Sequence, residues 1–325
     1  MERRTVLMLG AATAASRLSQ TLAQSAAKDY PSRPVRLLVG FPPGGSTDVV
    51  ARLTATTLQQ AFGQPFIVEN KPGAGSNIAS ADVARAAPDG YTLLLGTIAN
   101  ATNMATFKSL TYDTVRDLAP VSLIMGAPAV LAVSPQLPVT NLKELIELAK
   151  ARPGQLSFSS SGAGGPIHLA GEMLKLRAGI DINHIPYKGA AQALQDTISG
   201  VVSMGFVTAL SAIPHLKAGK LRGIAVAAAQ RLPQIPDVPT MAEQGMADFE
   251  INNWNGVMAP ARTPPAIIAK LAAECIRMVT LPDVKAALAA QAAVPVGNTP
   301  EQFDKFIRAE IEKWSAVAKA AHVVV

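Results

Sequence analysis

The stretch Val35–Asp48, VRLLVGFPPGGSTD, reads as a buried strand that ends in a glycine turn and leads directly into a helix. Leu37–Val39 form the apolar run that a strand covered on both faces needs. Pro42–Gly45 break that run. Side chains able to cap a helix follow at once, namely Ser46, Thr47 and Asp48. This order of features predicts a strand–turn–helix junction of an α/β fold.

Such a junction is an anion site, because the first N–H groups of the helix are unpaired and lie at the positive end of its dipole. A phosphate loop of the P-loop type would end in Gly-Lys followed by Ser or Thr. No lysine lies between Phe41 and Asp48. We therefore predict that the loop binds a carboxylate.

Three further stretches repeat this construction. Predicted strands lead into small and polar loops at residues 67–70 into 71–77, 91–96 into 97–103, and 156–158 into 159–168. Each loop places small, hydroxyl or amide residues at a strand end, which is where open α/β sheets bind ligands. Pro166 fits the first position of a helix. The four loops are predicted to form one site.

Composition limits the classes of function. The 325 residues predict about two domains, and only 16% of them are charged. Lysine and arginine are scattered and aromatic residues make up 5%, which argues against nucleic-acid binding. A single cysteine, Cys275, excludes an internal disulfide and a cysteine-based metal site. Cys275 lies in an apolar helical run and is interpreted as a buried thiol.

Residues 1–27 have the pattern of an export signal. Glu2–Arg4 form a charged head, and Val6–Ala15 form a short apolar segment. Cleavage after Ser25 and cleavage after Ala27 fit the small residues equally well. The paired arginines also resemble a twin-arginine signal, so the Sec and twin-arginine routes both stay open.

The rest of the chain predicts two lobes. Strands and helices alternate from Val35 to about Gly126, and from Ala129 a second series predicts a second parallel-sheet unit. A strand at 249–258 and helices at 264–281, 283–291 and 300–320 close the chain. These helices lack strands of their own and are predicted to pack back on the first lobe. The prediction is a lobe of residues 28–128 and 254–325, a lobe of residues 129–253, and a two-stranded hinge near Pro128 and Asn253.

Five motifs in order resemble the Bug family, the periplasmic solute receptors of tripartite tricarboxylate transporters. They are FPPGGSTD at 41–48, ENKPGAGSN at 69–77, PDGYTLLLGT at 88–97, SSSGAGGPIHLAGE at 159–172 and IPYKG at 185–189. The resemblance covers essentially the whole chain after residue 27. It implies an α/β type II periplasmic-binding-protein fold, a periplasmic location and a monomer without catalysis or cofactor. It also implies an organic acid held between the lobes, either a mono- or dicarboxylate, including aromatic acids and amino acids, with inner-membrane transporter subunits as partners.

The resemblance also implies which residues bind the ligand. Matched by motif, they are Gly44, Gly45, Ser46, Thr47, Asp48, Ala74, Gly75, Ser76, Asn77, Thr97, Asn103, Ser159, Ser160, Ser161, Gly165, His168, Tyr187 and Lys188. Two of the motif positions depart from the family pattern, because Ser76 and Ala79 stand where relatives often have glycine. The side chains of these two residues are expected to narrow the pocket or to alter the path of the second loop.

Other interpretations of the same residues remain. Ser159–Ser161 with His168 also suggest a nucleophile and base, but the Gly-x-Ser-x-Gly elbow is absent and no acid is placed to orient the histidine. The histidines lack metal-ligand spacing, so no metal is expected. Asp48 is either a helix cap, which we favour, or a ligand contact. Two further functions stay open, an enzyme acting on an organic acid and a receptor that serves a sensor, and the bound acid is not determined.

Overall fold

A computed structural model describes residues 29–325, which form two β-sheets flanked by helices. The strands are β1 Val35–Val39, β2 Phe66–Asn70, β3 Thr92–Thr97, β4 Leu118–Gly126, β5 Ala129–Val133, β6 Ser157–Ser160, β7 Asn183–Pro186, β8 Met204–Thr208, β9 Arg222–Val226, β10 Asn255–Pro260 and β11 Val294–Pro295. The helices are α1 Ser46–Phe62, α2 Asn77–Ala84, α3 Ala99–Thr106, α4 Thr114–Asp117, α5 Leu142–Ala151, α6 Pro166–Ala178, α7 Ala190–Ser199, α8 Ala209–Lys217, α9 Pro265–Met278, α10 Pro282–Ala290 and α11 Pro300–Ala320. The predicted export signal, residues 1–27, lies outside the described residues.

The two sheets have similar arrangements of strands. The first has the strand order β11-β4-β10-β3-β1-β2, and the second has the order β7-β6-β8-β5-β9. β1 pairs in parallel with β2 and β3, and β6 pairs in parallel with β7 and β8. Four of the five residues of β1 are buried, as its apolar run predicted for a strand covered on both faces.

The prediction of a second parallel-sheet unit is correct for β6, β7 and β8 and wrong for β5. β5 is antiparallel to both β8 and β9, and β10 is likewise antiparallel to β3 and β4 in the first sheet. The reason lies in the connection between the sheets, because only Ala127 and Pro128 separate β4 from β5. Because β8 ends at this connection and β5 starts there, β5 must run antiparallel to β8. β5 and β10 therefore enter their sheets from the connecting side and run away from it.

Three predicted boundaries are also corrected. The strand expected at 249–258 begins at Asn255, because residues 249–254 form the extended return connection. The strand expected at 156–158 extends to Ser160, so Ser159 and Ser160 belong to β6 rather than to the loop. The closing helices do have a strand among them, the two-residue β11, which pairs with β4.

The connection between the units consists of two antiparallel segments. Asn253 donates its N–H to the carbonyl of Ala127 at 2.8 Å, and Ala127 donates in return at 3.3 Å. Ala129 donates to Ile251 at 3.2 Å. These hydrogen bonds make a short two-stranded hinge.

The last helix contacts both units. α11 packs against α3 and β4 of the first unit and against α6 of the second. It buries Phe303 and Trp314 in a core cluster that also contains Leu131 and Phe158 of the second sheet. The ring of Trp254 meets that of Phe303 edge to face, with centroids 5.6 Å apart.

Candidate functional site

The carboxyl ends of the parallel strands in both sheets lie at the hinge. In the first sheet Thr97, at the end of β3, stands opposite Asn255, at the start of β10. In the second sheet Thr208, at the end of β8, stands opposite Ala129, the first residue after the hinge. The sheet edges at which α/β folds bind ligands therefore lie at the same connection in both units.

Helices that start at these edges begin without side-chain caps. The N-cap residues of α1, α2, α6, α7 and α8 make no side-chain hydrogen bond to the first turn, and they are Gly45, Ser76, Gly165, Gly189 and Thr208. α3 differs, because the hydroxyl of Thr97 accepts the N–H of Ala99 at 3.2 Å. Uncapped first turns leave N–H groups available to an anion.

Helices that start elsewhere show that the chain does use caps. α5 follows the antiparallel strand β5, and Asn141 caps it by accepting the N–H of Glu144. α11 begins with a capping box formed by Thr299 and Gln302. α9 and α10, which also start elsewhere, have no side-chain cap either, so the five edge helices share this absence with them.

The two units carry matching glycine turns. Gly45 has φ −77° and ψ 168°, and Gly165 has φ −77° and ψ 171°. Each follows a glycine at positive φ, Gly44 at 84° and Gly164 at 72°. A Cβ added at Gly45 would meet no atom closer than 3.8 Å, and one at Gly165 none closer than 3.6 Å. The Cβ positions of Gly45 and Gly165 are therefore free of close protein contacts.

Asp48 is not a helix cap, so the interpretation favoured from the sequence was wrong. It lies in the first turn of α1, whose N-cap is Gly45, and it is 3% exposed. Burial opposes its ionisation, but hydrogen bonds from Arg52, Gly44 and Asn70 outweigh burial and lower the pKa of Asp48 to about 2. The carboxylate ties the glycine turn to β2 through Asn70, at 2.9 Å. Asp48 therefore holds the loop.

Asn77 and Asn103 are also engaged in holding a loop. The amide nitrogen of Asn103 donates to the carbonyl of Gly75 and to the side-chain oxygen of Asn77, both at 2.8 Å. The hydroxyl of Tyr112 donates to the same oxygen of Asn77 at 2.9 Å. This network fixes the second loop against α3.

In the second unit the β6 serines bond within the protein. Ser159 bonds to the hydroxyl of Thr197 at 3.0 Å. The hydroxyl of Ser160 lies 2.6 Å from Nε2 of His184 and also bonds to Gly162. Ser160 is 1% exposed, so this serine–histidine pair offers no accessible nucleophile. The base considered from the sequence, His168, does not contact Ser160.

His184 is a site residue that sequence reasoning missed. Its ring stacks on that of His168 with centroids 3.7 Å apart, and the ring of Phe158 lies 5.0 Å from it. Nδ1 of His168 accepts the N–H of Gly164 at 3.0 Å. The histidine pair therefore anchors both ends of the loop 160–164. His184 lies in β7, opposite Phe158 of β6. This strand pairing brings it to the loop, so no local sequence pattern marks it.

We expect stability to fall when the pH is lowered from about 6.5 to about 4. Burial, with a smaller contribution from His168, lowers the pKa of His184 from 6.5 to about 4. The unfolded chain then binds more protons than the folded protein in that range, so acid favours unfolding. Urea denaturation at pH 7.5 and pH 5 measures the effect.

The control for this prediction is His184→Gln, which keeps a donor near Ser160 but does not titrate. Glu172 and Lys175 also lie beside the pair, with Glu172 3.7 Å from Nε2 of His168. The pKa of Asp48 is about 2, so its contribution is lost only at lower pH. An equal pH dependence in His184→Gln would contradict the assignment to His184.

The remaining predicted residues lie at the end of β7. The hydroxyl of Tyr187 donates to Asp196 at 2.7 Å, and burial together with this carboxylate raises the pKa of Tyr187 to about 12. Lys188 is exposed and forms no ion pair or hydrogen bond within residues 29–325. Within the described part of the motif loops, Lys188 is therefore the cationic side chain that has no partner.

Burial divides the predicted site residues into two groups. The exposed or half-buried group comprises Gly44, Gly45, Ser46, Thr47, Ala74, Gly75, Asn77, Ser161, Gly165, Tyr187 and Lys188. The buried group comprises Asp48, Ser76, Thr97, Asn103, Ser159, Ser160 and His168. Of the buried group, Ser76 alone has a side-chain oxygen without a hydrogen-bond partner among the described residues.

Two further observations concern residues 29–325 only. They contain no cluster of three or more histidine, cysteine, aspartate or glutamate side chains placed to hold a metal ion. None of their helices combines the length and apolarity required to cross a membrane. Cys275 is fully buried, and burial raises the pKa of its thiol to about 12.

Two α/β units joined by a two-stranded hinge, with uncapped helix N-termini at the joined edges, define the class of two-lobed solute-binding receptors. Within that class, residues 50–323 match the family model described as tripartite tricarboxylate transporter family receptor. The chain belongs to this family, which confirms the Bug family predicted from the motifs. The family and the fold are those of periplasmic solute-binding receptors rather than enzymes.

Individual relatives are similar to this protein over most of its chain. Protein BugT of Bordetella pertussis is 41% identical over 295 residues, which cover 90% of each chain. A solved structure of R. palustris Rpa4515 with adipate is 36% identical, with a TM-score of 0.81, covering 91% of this chain and 99% of that one. MatC from Rhodopseudomonas palustris with bound malate is 33% identical, with a TM-score of 0.77, covering 89% and 99%. These similarities confirm the type II periplasmic-binding-protein fold.

Proposed function

We propose that the protein is a periplasmic receptor that captures a small organic carboxylate between its two lobes. One observation carries this proposal, the matching pair of glycine N-caps at Gly45 and Gly165, one on each unit. Both helix N-termini lack side-chain caps, and the Cβ positions of both glycines are free of close protein contacts. A carboxylate placed between them would accept N–H groups from both units.

A carboxylate fits the charges of the site better than a more highly charged anion. The motif loops of the first unit contain no arginine, and the nearby Arg52 is paired with Asp48 at 2.9 Å. An uncapped helix N-terminus favours an anion by about 0.3–2 kcal/mol, depending on burial. Lys188 is available for a second carboxylate. The adipate and malate named in the related structures are both dicarboxylates.

Carboxylic acids are expected to raise the melting temperature, and their neutral amides are not, because helix N-termini favour anions over neutral groups. Adipate, malate and benzoate, each beside its amide, form the first panel for a thermal-shift measurement. At a ligand concentration of 100 times Kd, the bound state gains about 2.7 kcal/mol. Equal shifts from acids and amides would refute carboxylate binding.

We further propose that the ligand closes the hinge. The lobes of this proposal are residues 28–128 with 254–325, and residues 129–253, which agrees with the strands that each sheet contains. Neither glycine turn alone can remove an anion from water, so binding favours the closed arrangement. Backbone amide signals of Gly126, Ala127, Ala129 and residues 251–254 should shift with the ligand, and unchanged hinge signals at saturation would argue against closure.

Delivery to a tripartite tricarboxylate-type membrane transporter is the proposed destination of the ligand. The family match supports this partner. A receptor that serves a sensor protein would share the same binding site, and reconstituted uptake with the transporter subunits distinguishes the two. Recovery of the bound acid unchanged after incubation tests the absence of turnover.

A further inference from the structure

The turn Gly73–Ser76, between β2 and α2, holds four consecutive residues at positive φ. Their φ angles are 138°, 47°, 61° and 77°. Glycine adopts such angles readily, but Ala74 and Ser76 carry a Cβ that crowds the neighbouring carbonyl. The chain therefore accepts backbone strain at this loop.

Ser76 adds a second unfavourable feature to the strained backbone. Serine usually caps a helix from an extended backbone, whereas Ser76 precedes α2 at φ 77° and ψ −1° and does not cap it. Its hydroxyl is buried and has no hydrogen-bond partner. A buried unpaired hydroxyl destabilises the folded protein. Among residues 29–325, Ser76 is the one non-glycine residue that combines positive φ with an unpaired buried side chain.

The position of this hydroxyl places it between the two glycine loops of the first unit. A Cβ added at Gly40, just after β1, would lie 1.9 Å from the hydroxyl oxygen of Ser76. Gly40 begins the loop that leads to the N-terminus of α1, and Ser76 immediately precedes α2. The neighbouring polar groups are paired, since Asn103 holds Gly75 and Ser80 accepts a hydrogen bond from Asn100 at 2.9 Å.

We infer that Ser76 is a specificity-determining residue whose hydroxyl donates a hydrogen bond to the bound carboxylate. The inference rests on the proposed function, because it assigns a residue to that ligand. Unpaired polar groups and strained backbone persist at sites where binding uses them. Rotation about the Cα–Cβ bond offers the hydroxyl three staggered positions, and donation to the ligand requires it to turn from Gly40.

Two variants separate the hydroxyl from the strain. Ser76→Ala removes the hydroxyl and keeps the strained Cβ, and Ser76→Gly removes both. We expect each variant to bind adipate or malate about tenfold more weakly, which is about 1.4 kcal/mol. Without ligand, Ser76→Gly should melt about 2–4 °C higher than the wild type, and Ser76→Ala should gain less.

Asp248→Gly is the control for strain relief alone. Asp248 is exposed, has φ 52° and lies outside the binding loops. Its variant should gain stability with unchanged affinity in titration calorimetry. Wild-type affinity in both Ser76 variants would overturn the inference about Ser76 but would leave the proposed function standing. A melting temperature of Ser76→Gly below that of the wild type would also overturn the inference. A wild-type protein that binds no carboxylate of the panel would refute the proposed function itself.

Discussion

Replacing Gly45 by valine is expected to weaken carboxylate binding at least tenfold, about 1.4 kcal/mol, while the protein stays folded. At φ −77° and ψ 168°, Gly45 has a backbone conformation that any residue adopts. The added Cβ meets no protein atom closer than 3.8 Å, so valine fits at Gly45 and adds bulk beside the N-terminus of α1. Gly165→Val should have the same effect from the other unit, because its turn has the same geometry.

Two milder variants serve as controls for this prediction. Gly45→Ala adds one methyl group and should lose less affinity than Gly45→Val. Ser46→Ala removes an exposed hydroxyl and should lose no more than the roughly 0.5–1.5 kcal/mol of one hydrogen bond. Titration calorimetry on the folded variants decides the outcome. A larger loss in Ser46→Ala would show that side chains rather than backbone amides recognise the ligand, and wild-type affinity in Gly165→Val would remove the second unit from the site.

Gly40→Ala is expected to destabilise the protein by about 1–3 kcal/mol, the usual range for overpacking. The new Cβ would lie 1.9 Å from the hydroxyl oxygen of Ser76 and 2.6 Å from its Cα. Neither contact can persist, so one of the two loops must move. Urea denaturation measures the loss, and Gly45→Ala is the matched control because its Cβ meets nothing closer than 3.8 Å.

The double variant Gly40→Ala with Ser76→Gly should recover part of this loss. Removing the Ser76 side chain eliminates the two shortest contacts but leaves the contact with Cα, so recovery stays incomplete. Such coupling is expected only for residues in direct contact. Strictly additive effects of the two substitutions would contradict the packing of Ser76 on Gly40.

Local sequence patterns were sufficient to predict the strand–turn–helix junctions. The apolar run of β1, the glycines after it and Pro166 at the start of α6 each act through nearest neighbours along the chain. The strand directions were not predictable in the same way. β5 and β10 are apolar like parallel strands, but each starts at the connection between the sheets, where the parallel strands end, and this arrangement appears only when the sheets are assembled.

The candidate site shows the same limit at the level of side chains. Sequence motifs placed Gly45 and Gly165 correctly at helix starts, but not the role of Asp48. Its partner Asn70 is 22 residues away and reaches it because β2 pairs with β1. His184 and Ser160 are likewise brought together by the register of β6 and β7. Contacts between distant strands cannot be derived from residue spacing alone.

The central claim is that a single carboxylate contacts helix N-termini of both units. Backbone amide NMR spectra, recorded while adipate or malate is added, test it most directly. Signals of Ser46–Asp48 and of Ile167 and His168 are predicted to shift together along one saturation curve, accompanied by the hinge residues Ala127 and Asn253. Shifts confined to one unit, or two curves with different affinities, would contradict the claim.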